Sequence, residues 1–262
     1  MVDERYPKDV IVGIYAPGRR LFEFSLKIKN MPEAIAEVSG ILAKKGVNLL
    51  SGFHLADPTG EEARWGFIAD LSGLDIEVEE LLKLIMELKL VSDVSFTEAK
   101  FNGLIVDELH FPLTALGERS VLLRVETWGD MAGGLFEAFG SGACVILYEM
   151  GVKAGENKAR NVVEKYGVHG LRALQIILAE RVAKGWGVPN VVEFDEKKFK
   201  ATVTVQDLFE CLPFKGKDRQ PKSHFFRGYI TGVFNNLFNK KVAAEEVECI
   251  AKGDKICKFT IK

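Results

Sequence analysis

Few cysteines, no long apolar run and no excess of one charge are the first features of this sequence. Four cysteines in 262 residues are too few for a disulfide scaffold, which points to reduced thiols. The longest apolar run, Ala143 to Tyr148, falls far short of the roughly 20 residues that cross a bilayer. Charged residues between Met1 and Asp9 stand where a signal peptide would be apolar, so the expectation is a cytoplasmic protein with no membrane partner. Lys+Arg 35 against Asp+Glu 37 leaves a net charge of −2, with the signs interspersed; this excludes the concentrated basic face that nucleic-acid binding needs. Glutamine occurs only at positions 175, 206 and 220 while Lys and Glu abound, a bias compatible with a heat-adapted source. What is present is an ordinary globular composition, 47% hydrophobic and 27% charged, which rules out disorder and fibrous repeats. At roughly 150 residues per domain, the length suits one large unit or two smaller ones.

The N-terminal half shows clear periodicity. Phe22, Phe24, Leu26 and Ile28 alternate with Glu23, Ser25, Lys27 and Lys29, the pattern of a half-buried strand. Asn30-Met31-Pro32 then opens a helix in which Ile35, Val38, Ile41 and Leu42 recur at helical spacing up to Lys44-Lys45-Gly46. Two more alternating runs, 47–56 and 63–71, flank the turn cluster Asp57-Pro58-Thr59-Gly60 and form a hairpin. Val78, Leu81, Leu82, Ile85 and Leu88 make a second amphipathic helix, and 91–96 a last strand. The order strand, helix, strand, strand, helix, strand predicts a ferredoxin-like βαββαβ domain over residues 15–98.

The stretch "KNMPEAIAEVSGILAKKGVNLLSGFHL" resembles ACT domains, regulatory modules that bind an amino acid at a dimer interface. In that family a Gly usually follows the Pro of the first loop; this chain has Glu33 there, whose carboxylate blocks the usual site or changes its ligand. A dimerisation module without ligand is the alternative.

Periodicity breaks after residue 98 at Asn102-Gly103 and Phe111-Pro112, which places a domain boundary near 99 and a second domain at 99–262. Leu104, Ile105, Val106, Leu109 and Phe111 are too apolar for a solvated tether and predict packing on one of the domains. A strand is expected at about 120–126, then helical segments around Leu135–Phe139, 144–150, 156–166 and 169–184. "NVVEKYGVHGLRALQIILAERV" has the outline of a helix-turn-helix reader, but as many acidic residues as basic ones oppose that use. Strands follow at 187–194 and 199–210 around a turn near Asp195-Glu196, then a helix at about 223–238 with Phe226, Tyr229, Ile230, Val233 and Leu237 on one stripe. A hairpin, 242–250 with 256–261, closes the chain around Lys252-Gly253-Asp254.

Cys249 and Cys257 lie on that hairpin. A loop of Lys252, Gly253 and Asp254 would set them opposite one another with Cβ atoms about 4.5–5.5 Å apart, close enough to share a metal. His224, Cys211 and the acids Glu245, Glu246 and Glu248 could supply further donors to a zinc ion. Buried packing cysteines and a redox disulfide remain alternatives, and a two-residue loop would put the pair out of register.

Residues 121–261, with "ILYEMGVKAG", "KGWG", "FECLPF", "FFRGYITGVFNNLF" and above all "EEVECIAKGDKICKFTI", are similar to the 4-vinyl-reductase-type domain. That family includes the sensor domains of phenol-responsive regulators, a chlorophyll-pathway accessory protein and relatives of vesicle-tethering subunits. Its terminal pattern Glu-x-x-Cys-x7-Cys-x-Phe is met by Glu246, Cys249, Cys257 and Phe259, and the resemblance implies that the first three bind a structural zinc beside a ligand pocket. Strand alternation alone would put Glu246 on the face opposite Cys249 unless a bulge intervenes. The sensors' remaining cysteine, just before the helix, is replaced here by Ser223; Cys211 is the expected fourth ligand, with His224 in reserve. Trp186, His224 and Tyr229 are the candidate ligand-binding residues among aromatics that also suit a plain core.

The chain lacks a G-x-G-x-x-G after a strand, so nothing holds a nicotinamide. Four protein ligands would close a metal site, whereas catalysis needs an open position. The sequence therefore predicts a non-enzymatic regulatory or sensor protein that binds a small hydrophobic molecule beside zinc, acts as a homodimer and signals through a protein partner. A metal-dependent enzyme and a scaffold related to tethering subunits are the alternatives.

Overall fold

The computed structural model describes residues 5–195 and 200–262, and the chain divides into two compact units after Val121. The first contains β1 (Gly13–Tyr15), β2 (Leu21–Lys29), α1 (Pro32–Lys44), β3 (Asn48–Ala56), β4 (Glu62–Asp70), α2 (Val78–Met86), β5 (Val91–Glu98), β6 (Leu104–Val106), β7 (Thr114–Ala115) and β8 (Glu118–Arg119). Its main sheet runs β3-β4-β2-β5 with every neighbouring pair antiparallel. This is the ferredoxin-like order that the alternation and the two amphipathic helices predict. Phe22, Phe24, Leu26 and Ile28 of β2 bury one face against Ala34, Val38 and Leu42 of α1 and Leu81 and Ile85 of α2. Pro32 opens α1. Gly46, at φ +72°, lets the chain turn out of that helix, with Gly46 N–H donating to Ala43 O and Val47 N–H to Leu42 O. Glu33 is exposed in the first turn of α1, where a carboxylate suits the positive end of the helix dipole.

The unit boundary at 121 lies later than the loss of periodicity at 99 suggests, because the following segment stays with the first unit. β6 pairs antiparallel with β1, and Ile105 is buried with Leu21 and Ile68. Phe111 is exposed instead of packed.

The second unit holds α3 (Val125–Phe139), α4 (Gly142–Tyr166), α5 (Gly170–Ala183), β9 (Val188–Asp195), β10 (Lys200–Gln206), α6 (His224–Phe238), β11 (Ala244–Glu248) and β12 (Cys257–Ile261), with single 3-10 turns at Leu212–Phe214 and Ile250–Lys252. The sheet order is β11-β12-β10-β9, again antiparallel. Both units thus combine helices with antiparallel sheets in an α+β class, as predicted. No strand forms at 120–126: Val121, Leu122 and Leu123 are exposed, and α3 starts at Val125. The two helices expected at 144–150 and 156–166 are one, α4. The turn expected at Asp195-Glu196 and the start of the next strand at Phe199 fall on residues outside the described ones.

Gly151 and Gly155 explain the continuity of α4: they are contact points for α6. A Cβ at Gly151 would lie 2.0 Å from Phe225 O, and one at Gly155 2.1 Å from Tyr229 O; in return, Gly228 faces Tyr148 O at 2.0 Å and Gly232 faces Val152 O at 2.1 Å. The two backbones touch along two turns, which fixes where α6 begins. Ala201, Val203 and Val205 of β10 and Phe259 and Ile261 of β12 then pack on Phe226, Ile230 and Val233 of α6.

Candidate functional site

Three segments converge at the first turn of α6. Cys211 precedes the 3-10 turn at 212–214, whose Pro213 seats against α3 at Gly129, where a Cβ would come within 2.6 Å. Glu210, beside it, is buried, and its carboxylate accepts hydrogen bonds from Phe225 N–H and Phe226 N–H, each 2.7 Å. It satisfies two of the free amides at the helix start. Burial pushes its carboxyl up to about 8 although the two amides pull the other way.

The third segment is the C-terminal hairpin, which differs from the short loop expected. Cys249 ends the extended chain, a 3-10 turn covers 250–252, and Gly253 takes φ +100°. Asp254 Oδ2 accepts the Cys249 amide at 2.8 Å, and β12 begins only at Cys257. Cys249 is therefore not the ladder partner of Cys257, which lies opposite Val205. The pairing of β11 with β12 also slips, from Glu246 opposite Phe259 to Glu248 opposite Lys258. That leaves Val247 as the extra residue of a bulge, and the bulge puts Glu246 on the same face as Cys249.

The result is a cluster in which one donor atom each from Cys211, Glu246, Cys249 and Cys257 lies within 4.8 Å of the others. All three cysteines are buried and free. Cys211 Sγ is 3.4 Å from Cys249 Sγ. Ser223 stands at the centre: its hydroxyl donates to Glu246 Oε1 at 2.7 Å, lies 2.8 Å from Cys211 Sγ and approaches Cys257 Sγ at 3.6 Å. Hydrogen bonds with Cys249 drive the Cys211 thiol far up, and those from Cys211 and Cys257 hold Cys249 low, so one thiolate is shared by its neighbours. Desolvation and then the charge at Cys249 push Glu246 up to about 9. Four donors of mixed S and O type this close can share one cation, which would relieve that repulsion.

His224, at the start of α6, is not one of the four. Burial and then the charges of Arg227 and Lys222 lower it to about 4, keeping the imidazole neutral, and its ring meets Phe136 at 6.0 Å. It borders a cavity of about 570 Å³ together with Cys144, Lys222, Arg227 and Glu246.

Trp186 and Tyr229 come together elsewhere, with ring centroids 5.1 Å apart, in an aromatic group that includes Trp128, Phe209 and Phe225. Arg181, itself buried, lies 4.3 Å over Trp186 and 5.2 Å from Tyr229. The Tyr229 hydroxyl, Trp128 Nε1 and Arg181 Nε are buried there without hydrogen-bond partners. Sequence reasoning missed Glu210 and Arg181. The acid alone in the apolar run "LFECLPF" was a readable sign for Glu210, whereas nothing local marked Arg181, which sits on a helix like any surface arginine.

Residues 202–262 match the family model of the vinyl-4-reductase domain. Over 62 residues the chain is 36% identical to an uncharacterized protein of Methanocaldococcus jannaschii, MJ1642; this covers 23% of the chain and 37% of that relative's length. Among solved structures, the phenol-responsive sensory domain of the transcription activator PoxR with phenol is similar with a TM-score of 0.51 and 22% identity, over 56% of this chain and 79% of that one. A vinyl-4-reductase family protein from Methanocaldococcus jannaschii aligns with 20% identity and a TM-score of 0.39, over 55% of this chain and 83% of its own. The C-terminal segment is thus similar to vinyl-4-reductase domains, and the chain shares a fold with the PoxR sensory domain.

Proposed function

We propose that residues 122–262 form a non-enzymatic sensor unit that binds a small, mainly apolar molecule near a structural zinc ion. The observation that carries the ligand is the aromatic group around Trp186 and Tyr229, which buries three polar atoms without partners. Buried polar atoms rarely stay unpaired, and a ligand with one hydroxyl or carbonyl among apolar atoms would satisfy them. The likeness to a sensory domain that binds phenol fits a ligand of that size. Zinc would be held by Cys211, Glu246, Cys249 and Cys257, whose donor set suits a borderline-soft ion. The ion would supply charge neutralisation and a fixed link between the hairpin and the Cys211 turn; with four protein donors, no position is left for a reacting water.

The ferredoxin-like unit is proposed as a regulatory partner module whose amino-acid effector, if it binds one, must accommodate the exposed Glu33. Exposed Met131, Phe139, Val145, Ile146 and Met150 on α3 and α4 support a homodimer. A metal-dependent enzyme is the second reading, and the cavity bordered by Glu246 favours it because it leads to one of the four donors.

Calorimetric titration with phenol and with unsubstituted benzene tests the sensor reading. Phenol is expected to bind, with Tyr229→Phe weakening it about tenfold, a loss of about 1.4 kcal/mol. No heat from either compound, or equal binding by Tyr229→Phe, would reject it.

A further inference from the structure

We infer that Glu23, Asp107 and His110 form a second cation site, which fastens the 107–110 segment to the outer face of the ferredoxin-like sheet. Glu23 alternates with Phe22 and Phe24 on β2 and so points away from the helices, yet it is only 2% exposed. What covers it is the chain after β6. His110 Nδ1 lies 3.1 Å from Glu23 Oε1 and 3.0 Å from Asp107 Oδ1, and one donor atom from each of the three residues falls within 4.8 Å of the others.

The imidazole has a built seat. A Cβ at Gly66 would come within 2.7 Å of His110 Cε1, so only glycine on β4 leaves room for the ring. Phe53 of β3 holds the ring edge-on at a centroid distance of 4.7 Å. The Glu108 amide donates to Glu23 Oε2 at 3.3 Å and the His110 amide to Asp107 Oδ1 at 3.0 Å, so the backbone orients both carboxylates.

Charge balance is what points to an ion. Among the described residues no lysine or arginine forms an ion pair with Glu23 or Asp107, and the nearby Lys100 is engaged by Glu108. Two carboxylates facing one buried point repel, and a single imidazole N–H cannot neutralise both. Donor separations of 3.0 and 3.1 Å match neighbouring ligands of an ion bound at roughly 2.0–2.2 Å. One nitrogen and two oxygens, all on one side, suit Mn²⁺ or Zn²⁺ with the remaining positions open to water. This site shares no residue with the cysteine cluster, and it does not depend on the sensor reading.

Mn²⁺ titration of the full chain, read by loss of the free-ion electron paramagnetic resonance signal, tests it, because a hard ion discriminates against the thiolate cluster. Zn²⁺ is titrated in parallel into the Cys249→Ser variant. One ion per chain is expected with either probe, and Glu23→Gln and His110→Ala should each weaken it tenfold or more with unchanged far-ultraviolet circular dichroism. Glu23→Gln keeps size and hydrogen bonding, so it decides the matter if His110→Ala fails to fold. No binding of either ion, or equal binding by Glu23→Gln, overturns the site.

Discussion

Gly228→Ala separates two physical effects of opposite sign. In an exposed helix interior, replacing Gly by Ala stabilises by about 1 kcal/mol, because Ala loses less backbone entropy on folding. At Gly228 the new Cβ would sit 2.0 Å from Tyr148 O, a backbone atom that no rotamer change can move. Ordinary contact begins at 3.4 Å, so α4 and α6 must separate locally by about 1.4 Å, and overpacking of this kind costs about 1–3 kcal/mol or more. The packing term wins, and the variant should be less stable by at least about 2 kcal/mol, a fall in Tm of roughly 4–8 °C at about 2–4 °C per kcal/mol. Gly133 and Gly134 on α3 are internal controls: nothing lies within 4 Å of a Cβ there. Gly133→Ala should raise stability by about 0.5–1 kcal/mol. Thermal and urea unfolding followed by circular dichroism measures both. A stabilised Gly228→Ala would refute the claim that these helices pack through their glycines and that this packing sets the position of Ser223 and Tyr229.

Glu210→Ala should destabilise by about 2–5 kcal/mol in urea unfolding, since the buried amides of Phe225 and Phe226 lose their acceptors at about 1–3 kcal/mol each; a change below 1 kcal/mol would mean that water replaces the cap. The pH dependence follows from the same group. Its folded pKa, about 8, lies above the ordinary 4.5, so the folded state holds a proton that the unfolded chain releases. This contribution is present below about pH 4.5 and lost as pH rises to about 8, at up to about 1.4 kcal/mol per pH unit. Glu210→Gln should therefore show a flatter stability profile between pH 5 and 8 than wild type; parallel profiles would contradict the assignment. Val145→Glu, at a side chain 62% exposed on α4, should convert a dimer to monomer by light scattering while leaving the melting curve of the monomer intact.

The ferredoxin-like unit was legible because strands with one buried face alternate and its helices carry clear stripes; Phe22 to Ile28 and Leu81 to Ile85 are read directly from their periods. Glycines misled where they served packing: Gly151 and Gly155 look like helix breaks, yet they are the seats of a neighbouring backbone, a fact local in neither helix. The cysteine cluster was legible in its members and not in its geometry. Spacing suggested a cross-strand pair, whereas the structure uses a 3-10 turn and a bulge at Val247 to aim Cys249 and Glu246 inward. Ser223 was noticed as a missing cysteine, and its role as the hydrogen-bonding centre depends on contacts from three segments. Glu23, Asp107 and His110 stayed invisible because strand alternation marks Glu23 as solvated, and only the return of the chain after β6 buries it.

Zinc content of the reduced, purified chain tests the account most directly, measured by elemental analysis and native mass spectrometry on Glu23→Gln so that the N-terminal site does not contribute. One zinc per chain, lost in Glu23→Gln/Cys249→Ser and weakened in Glu23→Gln/Cys211→Ser, is the predicted result. Zinc content that is zero, or the same with and without Cys249, would contradict a metal held by Cys211, Glu246, Cys249 and Cys257.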